Sequence, residues 1–357
     1  LEQISSFDKV RKTVDAMSKV RLGIVGFGRL GSIHAANITQ SEIAELFAVC
    51  DLDTEALVRA NQKYSCPTFS DIDEFLKQPL DGVIIASNTH LHIDHIRRVA
   101  KAGIHIFTEK PIGLTLDETD VALQEVVNSG INFQIGFQRR WDPRFISAKN
   151  AIVAGKIGTP VLYKAYGRDP NASNPKNWGL DKNGGLFLNA AIHDYDAARF
   201  LLGLDPTEIS ASGAALVYPE LKKHGDIDTC SSTLYFGDSA MAITEWSRYA
   251  TYGYDIYAEV VGTDGVIQIG RTKKSTVTIL QKNDQAPIVL DEFRNAYRLE
   301  LDGFAQSIMD NKLSTPGVED ARIALNIALS ARLSHNHGGK KVVIKKLTSL
   351  RSRENDR

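Results

Sequence analysis

Six residues narrow the possible folds of this chain more than any other stretch. Gly26-Phe27-Gly28-Arg29-Leu30-Gly31 directly follows the apolar run Val20–Val25 and opens a helical pattern at 32–38. A G-x-G-x-x-G between a strand and a helix is the turn that binds a dinucleotide. Gly26 permits the tight turn, Gly28 lets a pyrophosphate approach the backbone, and Gly31 lets the helix pack close to the strand. The helix N-terminus adds free N–H groups and a partial positive charge for phosphates. Arg29 and Leu30 lie inside the loop and count with it as cofactor contacts. A glycine-rich turn without a ligand is the plainer alternative.

Asp51 ends the next apolar run, 25 residues after Gly26. A carboxylate at that point accepts both ribose hydroxyls of NAD and repels the 2′-phosphate of NADP. The chain continues Leu52-Asp53-Thr54, without a basic residue. NAD is therefore the expected cofactor, with Arg29 as the one basic group that softens the preference. The alternative for Asp51 is a helix N-cap.

Strand-like and helical runs then alternate. Short apolar runs at 46–50, 82–86, 104–107 and 132–136 are separated by helical patterns at 54–63, 93–102 and 116–128. This rhythm predicts a parallel sheet with right-handed crossovers. The second half changes character. Strand-like segments at 161–167, 208–216, 229–236, 240–247, 254–269 and 275–280 alternate apolar with polar residues, with helices near 144–154, 190–202, 297–310 and 318–334. That pattern predicts a largely antiparallel sheet with one covered face. The expected fold class is α/β, with an N-terminal Rossmann domain over 17–140 and a second α/β domain with a large open sheet over 141–346. Residues 1–16 read as an upstream extension and 347–357 as a charged tail.

Charge and cysteine content exclude several function classes. Forty-two basic residues nearly cancel 43 acidic ones, so the basic excess of a nucleic-acid binder is missing. No apolar run approaches the roughly 20 residues of a membrane span. Cys50, Cys66 and Cys230 form no CxxC pair, which leaves a reducing cytoplasm as the expected location and no disulfide scaffold. His90, His92 and His95 cluster in sequence without a fourth partner. No metal is expected, because a zinc site needs a closed ligand set.

Two further segments carry candidate chemistry. Glu109-Lys110-Pro111 follows a strand at its C-terminal end, the edge where open α/β sheets bind ligands. Lys110 can donate a hydrogen bond to a substrate hydroxyl there, although a lysine at a strand end is usually a solvated residue. In Gly184–Asp196, Asn189 and His193 stand four apart, so a helix places both on one face. His193 has the ordinary proton affinity of a general base near neutrality. A lone histidine is more often structural, and Asp194 and Asp196 read equally well as helix-surface charges.

With these motifs in family order, the sequence resembles the glucose–fructose oxidoreductase/inositol dehydrogenase family. The resemblance rests on Gly26–Gly31, Asp51, Ala86-Ser-Asn88-Thr-His90-Leu-His92, Glu109-Lys110-Pro111, Gly136-Phe-Gln-Arg-Arg-Trp-Asp142, Gly167-Arg-Asp-Pro170 and the His193 segment. It covers nearly all of residues 20–344 and looks most like the inositol dehydrogenase branch. It implies an NAD-dependent oxidoreductase acting on a secondary hydroxyl of a cyclic polyol or sugar, in a homo-oligomer (a dimer or tetramer). It implies Lys110 and His193, with Asn189, as the catalytic group. It places Ser87, Asn88, His92, Glu109 and Lys110 at the cofactor, and Gln138, Arg139, Asp169, Asn189 and His193 at the substrate. The alternative for Arg139 or Arg140 is a domain-interface salt bridge. Redox-neutral sugar processing with tightly held NAD, and non-catalytic NAD or sugar sensing, are the competing functions.

One residue departs from the family pattern, which usually has Asp where this chain has Asn189. An amide can hydrogen-bond the imidazole but supplies no charge. A disabled site, a different proton path, and a larger share of the proton relay on Lys110 are all compatible with that change.

Overall fold

The computed structural model describes residues 19–170, 179–270 and 289–350, apart from the side chains of 289–292. The extension at 1–16, the segment at 275–280 and the end at 351–357 lie outside the described residues.

The first sheet has six strands: β1 (Val20–Val25), β2 (Ala44–Cys50), β3 (Thr68–Phe69), β4 (Gly82–Ile85), β5 (His105–Glu109) and β6 (Phe133–Gly136). All pairs are parallel, in the order β3-β2-β1-β4-β5-β6. That order reverses at β1, the switch point where doubly wound sheets bind nucleotides. Helices α1 (Arg29–Ile38), α2 (Thr54–Tyr64), α3 (Ile72–Leu76), α4 (Thr89–Lys101) and α5 (Leu116–Ser129) make the crossovers. The strands are buried on both faces; Leu22, Ile24, Ile84 and Phe107 are fully enclosed. This explains why they read as short continuous apolar runs. Strand β3 and helix α3, each of five residues or fewer, escaped the sequence reading because neither is long enough to show a period.

The chain leaves this sheet at Gly136, makes a 3-10 turn at Gln138–Trp141 and enters α6 (Pro143–Val153). Asp142 caps α6 by accepting from Arg144 N at 2.8 Å. The second sheet contains β7 (Pro160–Arg168), β8 (Glu208–Ala214), β9 (Thr229–Phe236), β10 (Ala240–Ser247), β11 (Asp255–Gly262), β12 (Val266–Gly270) and β13 (Val342–Val343). Their order is β12-β11-β7-β10-β9-β8-β13. Every pairing is antiparallel except β7 with β10. The single run expected at 254–269 is two strands joined by a turn, where Gly262 N donates to Gly265 O.

One face of this sheet is covered by α7 (Ile192–Leu202), with Tyr163, Ala165, Leu234, Ala242 and Trp246 buried beneath it. Gly167 makes room for Trp246, since a Cβ there would lie 2.2 Å from the indole. The other face carries Leu162, Lys164, Tyr166, Met241 and Ile243, none of them fully buried.

Two helices complicate the sequence division at residue 141. Helix α8 (Val289–Met309) packs on α1 and β1, and Leu301, Phe304 and Ala305 join the apolar cluster of Leu22 and Ile24. Helix α9 (Val318–Asn336) spans both units, touching α5, β6, α7 and β8. Parts of 141–346 thus also pack on the first sheet. Helical period reports an apolar face but not which sheet that face will cover.

Candidate active site

At the C-terminal edge of β1, β2 and β4 lies a cavity of about 470 Å³, lined by Gly26, Gly28, Asp51, Ser87, Asn88 and His95 among others. The three loop glycines differ in what surrounds them. Gly26 has φ +93°, and a Cβ there would lie 2.5 Å from the Ser87 backbone. A Cβ on Gly31 would lie 1.9 Å from Gly26 O. A Cβ on Gly28 would meet nothing within 4 Å. Protein packing thus demands two of the glycines, whereas the third leaves its space to a ligand beside the free amides of α1. These residues fit a dinucleotide.

Asp51 lines the same cavity. Its carboxylate accepts from Phe27 N and, at 2.8 Å, from Asp53 N. The N-cap of α2 is Asp53, which accepts from Glu55 N at 2.9 Å. Ser87 Oγ and His95 Nδ1 are 2.9 Å apart at the cavity wall. Burial, and then the neighbouring His92, push the His95 ring down to about 4.

Three residues expected at the cofactor have side chains engaged with the protein interior. His92 is buried, with Nδ1 2.9 Å from Pro111 O and Nε2 2.9 Å from Ser87 O. It ties the loop after β5 to the end of β4. Glu109 is buried against His34, with His34 Nε2 to Glu109 Oε1 at 2.8 Å. Leu30 is half-buried against the apolar core. Among the described residues, no group of three His, Cys, Asp or Glu is placed to hold a metal.

Lys110 Nζ donates to the main-chain oxygen of Asn189 at 2.7 Å. Asn189 lies in a π-turn, Phe187–Ala191, which runs directly into α7. Such a turn inserts a residue into the helical ladder and recurs at functional sites. His193 Nδ1 is buried without a hydrogen-bond partner among the described residues, so the Asn189 amide does not hold the ring. Burial pushes Lys110 down to about 8; Arg29 and Arg248 push the same way, whereas Glu109 and Asp169 oppose them. Burial, then the cations Lys110 and Arg139, hold His193 well below the ordinary imidazole range. Lys110 and His193 therefore share one low-dielectric site.

The charges after His193 are structural. Asp194 is completely buried and accepts from Arg139 Nη1, from Trp246 Nε1 and from Tyr163 OH at 3.1 Å. Asp196 is bidentate with Arg140, at 2.7 and 2.9 Å, and Arg140 continues to Asp320 at 2.8 Å. Both aspartates are thus interior anchors rather than surface charges. Arg139 is committed to Asp194 between the rings of Phe145 and Trp246, but its Nε and Nη2 have no hydrogen-bond partner among the described residues. Gln138 is buried in the same 3-10 turn. Asp169, just beyond β7, is close enough for its charge to act on Lys110 and on buried Tyr254. Tyr254, Trp246 and Arg248 were not legible as site residues. Each sits in or beside a strand of the second sheet, where an alternating pattern marks only a buried face.

Residues 20–137 match an oxidoreductase family with an NAD-binding Rossmann fold, and residues 145–268 match the GFO/IDH/MocA C-terminal domain. The chain belongs to the GFO/IDH/MocA oxidoreductase family. It is similar to the scyllo-inositol 2-dehydrogenase (NAD(+)) of Bacillus subtilis, at 38% identity over 327 residues, covering 90% of this chain and 95% of that one. A myo-inositol 2-dehydrogenase of Thermotoga maritima is 33% identical over 322 residues, covering 88% and 96%. Among solved family structures, a scyllo-inositol dehydrogenase from Lactobacillus casei, with bound NAD(H) and scyllo-inositol, superposes with a TM-score of 0.82. It is 30% identical and covers 92% of this chain and 99% of its own. The first domain is an NAD-binding Rossmann domain.

Proposed function

We propose that the protein is an NAD-dependent dehydrogenase that oxidises a secondary hydroxyl of a cyclic polyol, of the myo- or scyllo-inositol type, to a ketone. The observation that carries this reading is Lys110, held on the Asn189 carbonyl beside His193 at the sheet edge that also bears the nucleotide cradle.

Bound NAD supplies the hydride acceptor. The remaining steps belong to this chain's side chains. Lys110 Nζ donates to the substrate oxygen and stabilises the negative charge that develops there. His193 takes the hydroxyl proton on its imidazole, which its surroundings keep uncharged and ready to accept. With no carboxylate at residue 189, the imidazolium that forms has no neutralising partner. Lys110, pushed down to about 8 by burial, can share the proton relay. Arg139, Asp169 and Gln138 shape the subsite for the neighbouring ring hydroxyls.

Asn189 also favours a second reading, in which the protein binds NAD and polyol without turnover. NADH formation with a panel of inositols, hexoses and anhydrosugars, comparing the chain with Asn189→Asp, separates the two. Turnover by either protein supports the dehydrogenase. Ligand binding by both without NADH supports sensing or redox-neutral chemistry.

We further place the protein in the cytoplasm as a homodimer or tetramer. No described helix is long and apolar enough to cross a membrane, and all three cysteines are free and buried. The open sheet face, with Met241 and Ile243 exposed beside the stacked pair Tyr166 and Tyr257, is the surface that pairs with a second copy. Sedimentation of Ile243→Lys should show a smaller species.

A further inference from the structure

We propose that His34 and Glu109 form a buried positioning pair that ties the cofactor-binding helix to Lys110 and sets the charge the lysine presents to the substrate oxygen. This inference rests on the role given to Lys110 in the dehydrogenase reading.

The two side chains come from distant parts of the sequence. His34 lies on α1, whose N-terminus faces the nucleotide cradle, and Glu109 is the last residue of β5, next to Lys110. Both are buried, and His34 Nε2 donates to Glu109 Oε1 at 2.8 Å. The contact is built around. His34 meets Phe107 and Tyr297 edge-on, with centroids 5.2 and 6.1 Å away. Gly136 leaves room for the carboxylate, since a Cβ there would come within 3.2 Å of Glu109 Oε2. Placing an ionised carboxylate in such surroundings is costly without a partner. His34 is that partner.

Glu300 stands nearby on α8, with both carboxyl oxygens buried and unpartnered among the described residues. Burial, then Glu109 and Asp196, push it well above the usual carboxylate range. It therefore stays neutral and leaves the charge on Glu109. Burial also pushes Glu109 up, but the His34 hydrogen bond and the charges of Lys110 and His92 outweigh it and hold Glu109 below its ordinary value. The groups acting on Lys110 are Glu109 and Asp169, which favour its charged form, and Arg29 and Arg248, which oppose it; the lysine in turn acts on His193. Those acting on Glu109 are His34, Lys110 and His92, with Tyr297 and Glu300 also close by. Glu109 is thus the carboxylate adjacent in sequence to Lys110, and one hydrogen bond from α1 keeps it ionised.

The test reads the lysine itself. Competitive acylation with acetic anhydride across pH, quantified by peptide mass spectrometry, gives the titration midpoint of Lys110 without any turnover. Glu109→Gln should lower that midpoint by about one unit or more, the scale of one close charge. His34→Ala should lower it similarly, because the buried carboxylate then takes up a proton. His34→Gln should keep the wild-type midpoint, since the amide still donates to Glu109. NADH fluorescence on each variant checks that the nucleotide cradle is intact. A wild-type midpoint in Glu109→Gln overturns the proposal. If that variant does not fold, equal midpoints for His34→Ala and His34→Gln overturn it. Shifted midpoints in a protein that oxidises no polyol would leave the pair standing and remove only the dehydrogenase reading.

Discussion

Lys110 is held not by a side chain but by the main-chain oxygen of Asn189, 2.7 Å from its Nζ. The lysine's position is therefore independent of which side chain residue 189 carries, whereas an acidic side chain there would add a charge to a site in which Lys110 and Arg139 already act on His193. This separation makes the contribution of residue 189 measurable.

Asn189→Asp should raise turnover by about tenfold or more while leaving NAD affinity unchanged. The full effect of the reverse change in a hydrolase triad is about ten-thousandfold. A carboxylate beside His193 raises its proton affinity, so the acid limb of the pH–rate profile should move to higher pH. Steady-state kinetics from pH 5 to 9 read both changes, and an unmoved acid limb would argue that residue 189 does not face the imidazole.

Lys110→Met should lower kcat by about 10²- to 10⁴-fold, the range of one proton-transfer or charge-stabilising group. NADH binding, followed by fluorescence, should persist. Lys110→Arg should not restore turnover, because a planar guanidinium fork does not reproduce a compact ammonium on a single carbonyl.

The glycine loop should separate folding from binding. Gly28→Ala adds a methyl group to open space, so urea stability should hold while NAD affinity falls. Gly31→Ala drives a methyl to within 1.9 Å of Gly26 O and should cost about 1–3 kcal/mol or more of stability, as overpacking does. Equal affinity for NAD in Gly28→Ala and wild type would dissociate the loop from the pyrophosphate.

Asp51→Ser should weaken NAD much more than NADP, because it removes both the ribose acceptor and the repulsion of a 2′-phosphate. It also removes acceptors for Phe27 N and Asp53 N, a loss that affects both cofactors alike. The ratio of the two dissociation constants is therefore the informative quantity, and an unchanged ratio would count against the ribose role.

Stability should fall as pH drops below the ordinary histidine range. The imidazole of His193 lies well below 6.5 in the folded chain, so between those values the unfolded chain binds more protons. Folding is then favoured by rising pH across that window. Asp320 acts in the same direction at lower pH: burial raises it, but Arg140 and Arg199 hold it below 3.8 overall. Comparing urea midpoints at pH 5 and 7, His193→Gln should lose less stability on acidification than wild type.

The sequence alone determined the parts that depend on local pattern. The glycine loop and the alternating strands and helices of the first half were readable, because their information lies within a few residues of one another. The acidic residue at the end of β2 was equally readable, since the crossover length fixes its distance from the loop. Tertiary structure alone decided the partners. Arg139 met Asp194 across 55 residues, Glu109 met His34 across 75, and Lys110 met Asn189 across 79. Nothing local in the chain marks such pairs. A charged side chain has the same spacing and composition around it whether it ends in solvent or in the core, and only burial makes the choice of partner costly enough to matter. For the same reason α8 and α9 were legible as helices, but the sheets their apolar faces cover were not.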